Sequence, residues 1–375
     1  MKKIESVWTA FLYAKKIDTS FETNILSYYT LNMATASTHS HFHDLTETLN
    51  GNDLTFVTHH VPLCIVNGIR RYTMNAIPIA GFRDEPPALT DTDARSIVIR
   101  SNNSLLYNEM LVTRIAMLPI HQSKVPRILS TWSSDTNQRD FRFERPDEIP
   151  ICEYEIKSET QDPGLKDVNT DDIQVSVSDG TTLDSFFVND LVTDHPILIH
   201  CLMFPYPSVE VPLSFTAKPV IGTGKENSSF TPVGTTGMKF IVDEDRVEDV
   251  MSSWLQSKLE EREKKGLSPL STEEIDSIKR NFQLLERQRV YKQDQSGPTH
   301  IQLRVESIGS MPSTSIVRES LRMLAVHIND CWKTVNTTSI TFPQSTIVEI
   351  NLGNIDHSVA QCIVAAWNSV DSFKS

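Results

Sequence analysis

Residues 54–82, LTFVTHHVPLCIVNGIRRYTMNAIPIAGF, pack a short apolar strand, a proline-initiated helix and a second apolar run into one stretch. Pro62 suits a helix start, where its missing N–H would be unpaired anyway. Val61, Cys64, Ile65, Ile69 and Met74 recur at roughly helical spacing, and Asn67, Arg70 and Arg71 bring polar groups to the same short helix. An unpaired guanidinium is costly to bury. The adjacent arginines therefore read either as a pair snorkelling along the surface or as part of a partner surface.

Working outward, the chain reads as one domain interrupted by another. Residues 1–44 form an N-terminal extension with aromatic patches and a Thr/Ser/His tract. Residues 45–84 begin a sheet-and-helix domain, and the Arg83-Asp84-Glu85-Pro86-Pro87 run is a turn-rich crossing out of it. Residues 85–195 form an acidic insertion of short strands, among them 149–156 and 173–177, set between Asp, Asn and Gly turns. The first domain resumes at residues 196–340, and residues 341–375 add a closing strand and helix. The fold class expected is α+β: an antiparallel sheet with long amphipathic helices, interrupted by a mainly-β insertion.

Within 243–292 the spacing predicts charged helices. Val247, Val250, Met251, Trp254 and Leu255 mark one apolar face, and Ile275, Ile278, Phe282 and Leu285 another. Ser271 with Glu274 has the pattern of a capped start. After Pro312, Val317, Leu321, Leu324, Ile328, Cys331 or Trp332, and Val335 fall three or four residues apart. Such a seam fits packing on the chain's own sheet or on a partner helix.

Composition narrows the function. The 375 residues suffice for two domains with sizeable cores, and 39% hydrophobic with 22% charged content is ordinary for a globular protein. A net charge of −13 argues against a chain whose main task is to grip nucleic-acid phosphates. No apolar run approaches the ~20 residues that cross a bilayer. The first residues lack the pattern of a secretory signal, so an intracellular setting is expected. Cysteines 64, 152, 201, 331 and 362 are scattered and contain no Cys-x-x-Cys pair, so no disulfide framework is expected.

Catalytic patterns are weak. His39, His41 and His43 alternate, which on a strand could turn imidazoles toward one metal, as in a metal-dependent hydrolase. The regular strand and helix alternation of such an enzyme is missing. Gly224-Lys225 imitates a phosphate loop, but Pro219 stands at its first glycine and Glu226 at its Ser/Thr. Asp243 to Asp245 read as acids complementing a helix N-terminus. No Ser–His–Asp or Cys–His set can be assigned from spacing.

Four ordered blocks resemble one family. They are Asn67-Gly68-Ile69-Arg70-Arg71 with Ile77-Pro78-Ile79-Ala80, then Asn108 to Ile120 (NEMLVTRIAMLPI), then Ile197 to Val233 with its loop from Gly222, and finally Arg304 to Pro312. They are similar to the alpha-like assembly subunits of multisubunit RNA polymerase: bacterial alpha, archaeal D and the third-largest subunit of the eukaryotic enzyme. The family usually has His and Trp where Asn227 and Phe230 stand and Ala at Gly68, which suggests a divergent member such as one from a large DNA virus. Some relatives carry a metal-binding cysteine cluster in the insertion. Only Cys152 lies there in this chain, so no metal or other cofactor is expected.

The resemblance implies a non-catalytic subunit that pairs with a small alpha-like partner and docks the large catalytic subunits. On this carry-over, Asn67, Arg70, Arg71, Arg114, Lys225 and Glu226 face the large subunits. Val317, Leu321, Leu324, Ile328, Trp332 and Val335 face the partner helix. The strand from Thr346 to Leu352, leading through Asp356-His357-Ser358 into a helix, is similar to the opening of the small partner itself, as though partly fused. No membrane contact or sequence-specific DNA contact is implied. The expected setting is a virion or cytoplasmic replication site for a viral enzyme and a nucleus for a cellular one. A scaffold unrelated to transcription is the bland alternative to both readings.

Overall fold

The computed structural model describes residues 41–84, 96–133, 138–156, 164–204, 212–266, 271–295, 297–337, 340–344, 347–350 and 355–369. The first strands are β1 (Phe42–Thr48), β2 (Asp53–His59), β3 (Ile79–Gly81), β4 (Ile97–Asn102), β5 (Ile128–Ser133) and β6 (Gln138–Phe143). Next come β7 (Ile151–Ile156), β8 (Gly164–Asn169), β9 (Gln174–Ser176), β10 (Leu198–Phe204), β11 (Leu213–Ala217) and β12 (Val220–Gly222). The last are β13 (Val233–Phe240), β14 (Gln293–Asp294), β15 (Gly297–Pro298), β16 (His300–Ser307), β17 (Ile340–Gln344) and β18 (Ile347–Ile350). The α-helices are α1 (Leu63–Asn75), α2 (Asn108–Ala116), α3 (Glu244–Lys264), α4 (Thr272–Asn281), α5 (Ser313–Thr337) and α6 (His357–Ser369). The class is α+β, with antiparallel sheets throughout the described residues. No described helix is long and apolar enough to cross a membrane.

One sheet has the order β1-β2-β16-β13, so distant parts of the sequence meet in it. Its register sets Leu54 against Val305, Phe56 against Leu303 and Thr58 against Ile301. Alternation turns Leu54, Phe56, Ile301, Leu303 and Val305 to one face, where each is fully buried. Burial of each such side chain stabilises by roughly 1.5–3 kcal/mol. Helices α1 and α5 cover that face through Val66, Ile69, Ile316 and Val317. The other face is polar: Arg304 donates to both Asp53 oxygens, at 3.0 and 2.7 Å. Those bonds hold the Asp53 carboxyl below its usual range.

Pro62 caps α1 as its position predicts, and the buried side of α1 is Val66, Gly68, Ile69, Tyr72 and Thr73. Met74, expected on the apolar face, is 37% exposed, because Tyr72 and Thr73 already complete that face. A methyl group on Gly68 would lie 3.1 Å from Leu324 Cδ2. An alanine at this position would therefore press on α5, which gives a physical reason for glycine here.

A second sheet, β4-β11-β7-β9, lies between these segments in sequence. With α2 and the β8–β10 ribbon it encloses Phe82, Leu111, Ile115, Cys152, Phe186, Ile199, Leu202 and Phe215. The chain leaves through β3 and returns through β12, which pair with each other. The insertion thus runs further than the expected end at residue 195. Residues 198–204 pair with β8, and β11 is central to the second sheet. An apolar strand looks alike in sequence whichever sheet it joins.

Ser271 and Glu274 form the expected reciprocal cap, with Glu274 N–H donating to Ser271 Oγ at 3.3 Å and Ser271 N–H to Glu274 at 2.9 Å. Leu285, expected on the inner stripe of this helical pair, is 71% exposed. The helix widens to a π turn at Phe282–Glu286, which rotates the following side chains off the 3.6-residue stripe. Val247 and Phe282 still meet in a small core with Val290.

Candidate docking surfaces

The α1 polar groups are held within the chain. Asn67 Oδ1 accepts from Arg70 Nε at 3.1 Å and from its Nη2 at 3.0 Å, which fixes the guanidinium against its own helix turn. Arg71 lies 3.7 Å from Asp356, just ahead of α6, with both side chains about one-third exposed. The loop after β12 seats on the end of α1, where Lys225 N–H donates to the Asn75 carbonyl at 3.1 Å. Glu226 accepts from Arg83 at 3.1 Å, and that guanidinium lies over the Phe230 ring. Phe230 is fully buried and fills the space that Gly222 leaves; a methyl on Gly222 would come within 2.5 Å of its ring. The structure thus gathers Asn67, Arg70, Arg71, Lys225 and Glu226 around one helix. Arg114 stands apart on α2 in the second unit, where its charge acts on His200.

The α5 seam is largely filled by the chain itself. Val317 is fully buried against the first sheet, and Leu324, 3% exposed, packs with Tyr72, Met323, Cys331 and Val359. Leu321 and Ile328 are half-buried against the same clusters. Trp332 and Val335 lie on α5, but their side chains fall outside the described residues. The α6 helix packs on both α1 and α5. Beside this layer Tyr72 and His327 share a 2.9 Å hydrogen bond, and burial holds both neutral by raising the phenol and lowering the imidazole.

Sequence reasoning singled out His41 and His43 but missed their company. His43 stacks on His59 with ring centroids 3.9 Å apart, and His59 lies 4.2 Å from His300, so imidazoles from β1, β2 and β16 form a ladder. His60 lies 5.9 Å from His300, and His41 Nδ1 donates to the His59 carbonyl at 3.2 Å. The signal was the His59-His60 pair in the opening stretch, but only the strand register joins it to His300. His39 lies outside the described residues. Among the described residues no three His, Cys, Asp or Glu side chains are grouped so as to hold a metal ion.

Burial, then the neighbouring His300 and His43, push His59 down to about 4, with Asp44 opposing weakly. His300 is lowered by burial and by Lys292 and the other histidines. A folded pKa below the unfolded one leaves stability intact above about pH 6.5 and removes it as pH falls toward about 4. Acidification from pH 7 to 4.5 is expected to cost roughly 1–2 kcal/mol through His59, discounted for the solvent that reaches the ring. Urea titrations should show the loss reduced in His59→Gln, and an unchanged pH profile in that variant would refute it.

No protein-family model matches this chain, and no curated protein matches it at a significant level.

Proposed function

We propose that this chain is a non-catalytic assembly subunit of a DNA-dependent RNA polymerase. It pairs with a small alpha-like subunit and docks the two large catalytic subunits. The observation that carries the reading is the discontinuous layout. One sheet with α1 and α5 is built from segments on both sides of an inserted second sheet, which is the arrangement the resemblance implies. The four resembling blocks coincide with α1, α2, the β10–β12 return with its loop, and the β16 to α5 turn. The net charge of −13 suits a chain that holds proteins rather than DNA.

One further observation favours a partly fused partner. The α6 helix, whose opening resembles the small subunit, packs on α1 and α5, the layer where that subunit is expected to sit. In this reading Arg71 and Asp356 tie the fused segment to α1, and Arg70 remains for a large subunit.

The test is Arg70→Ala with Arg71→Ala. The Arg71–Asp356 pair is part-exposed, so the isolated chain should lose no more than about 1 kcal/mol. Recovery of the large subunits with the tagged variant should fall by about tenfold or more, as for truncated interface arginines. Full recovery of the complex would remove these residues from the interface.

A further inference from the structure

The outward side of α2 carries a stripe that neither sheet uses. Tyr107, Met110, Arg114 and Met117 follow at helical spacing, from the N-cap to the C-cap. Tyr107 is 75% exposed, Met110 56% and Met117 59%, while Leu111 and Ile115 on the opposite side are sealed in the core. Leu105, 79% exposed, lies just ahead of the stripe in the chain. Scattered exposed apolar side chains are ordinary, but a row of large ones along one helix face marks an interaction site.

Two polar features accompany the stripe. Arg114 is exposed within it and makes no ion pair among the described residues. Against α2, β10 carries His200, which is 7% exposed and whose Nε2 finds no hydrogen-bond partner among the described residues. A buried polar atom without a partner is uncommon enough to need an explanation. Burial, then the charge of Arg114, lowers the pKa of that ring below the usual imidazole range.

We propose that the Tyr107 to Met117 face of α2 docks a segment of another polypeptide presenting an Asp or Glu carboxylate flanked by apolar side chains. Charge complementarity selects this occupant. A carboxylate meets the Arg114 guanidinium in a planar, two-pronged pair. The flanking side chains cover the two methionines, whose flexible thioethers adapt to shape. The rest of this acidic chain repels an acidic segment, so one arginine within an apolar row sets the register. The identity of the partner, a large polymerase subunit, rests on the assembly reading above; the surface does not.

The experiment places photoactivatable benzoylphenylalanine at Met110 in the full chain within its native complex. A control carries it at Leu284, which is 74% exposed on the helical pair. The expected result is a cross-link from position 110 to a segment of a large subunit with an acidic residue among apolar ones. The cross-link should weaken about tenfold in Arg114→Glu, weaken less in Arg114→Lys, which keeps the charge without the two-pronged geometry, and be absent from position 284. Thermal melting of the isolated variants should match the parent, since Arg114 is exposed. No cross-link from position 110 in an intact complex, or one indifferent to Arg114→Glu, overturns the proposal and leaves the polymerase reading standing. An Arg114-dependent cross-link to such a segment in a protein outside any polymerase supports the surface and overturns the polymerase reading.

Discussion

Asp330→Ala is expected to lower the stability of the isolated chain by about 3–5 kcal/mol, the range for breaking a buried ion pair by removing one partner. Arg139 Nε donates to Asp330 Oδ2 at 2.7 Å and its Nη2 to Oδ1 at 3.0 Å. The side chains are only 14% and 4% exposed. Truncating Asp330 leaves a guanidinium largely out of water, with Ser130 as its remaining neutral acceptor at 3.1 Å. The pair also joins β6, within the insertion, to α5. Chemical denaturation of Asp330→Ala and Arg139→Ala measures the loss. A joint Arg139→Met, Asp330→Leu variant should recover most of it, because apolar replacement removes both desolvation penalties. A loss below about 1 kcal/mol in the single variants would mean that the pair behaves as a surface contact.

Leu324→Asp is expected to cost about 4–5 kcal/mol or to unfold the helix layer outright, since it places a carboxylate inside an apolar cluster. Leu324 is 3% exposed, lies against Gly68 of α1 and shares its cluster with Val359 of α6. The spacing alone left this leucine to the chain's own sheet or to a partner helix; the family resemblance implies the partner, and on that view the isolated chain should tolerate the change. The structure fills the position with the chain's own helices, so the isolated chain should already fail, as seen in its thermal melt. Unaltered melting together with loss of a co-purifying small subunit would return Leu324 to the intermolecular interface.

Local features were the legible part of this molecule. Pro62 and the apolar spacing behind it located α1, and the Ser271–Glu274 cap located α4, because each depends on neighbours a few residues away. The α+β class followed from the same periodicities. What sequence could not decide was which distant segment completes a face. The strand at 198–204 was apolar enough for either sheet, and pairing with β8 assigned it to the insertion. The His43–His59–His300 ladder exists only through the register of three strands. Likewise Arg71 read either as a snorkelling surface residue or as part of a partner surface until α6 brought Asp356 beside it. The α2 stripe was in view as part of a resembling block, yet spacing does not tell an exposed face from a buried one.

The most direct measurement is affinity purification of the tagged full chain from its native source at high salt, with mass spectrometry of what accompanies it. The account predicts two very large subunits in stoichiometric amount, with a small alpha-like subunit either as a separate chain or replaced by the segment containing α6. Recovery of the chain without either large subunit would contradict the assignment to a polymerase.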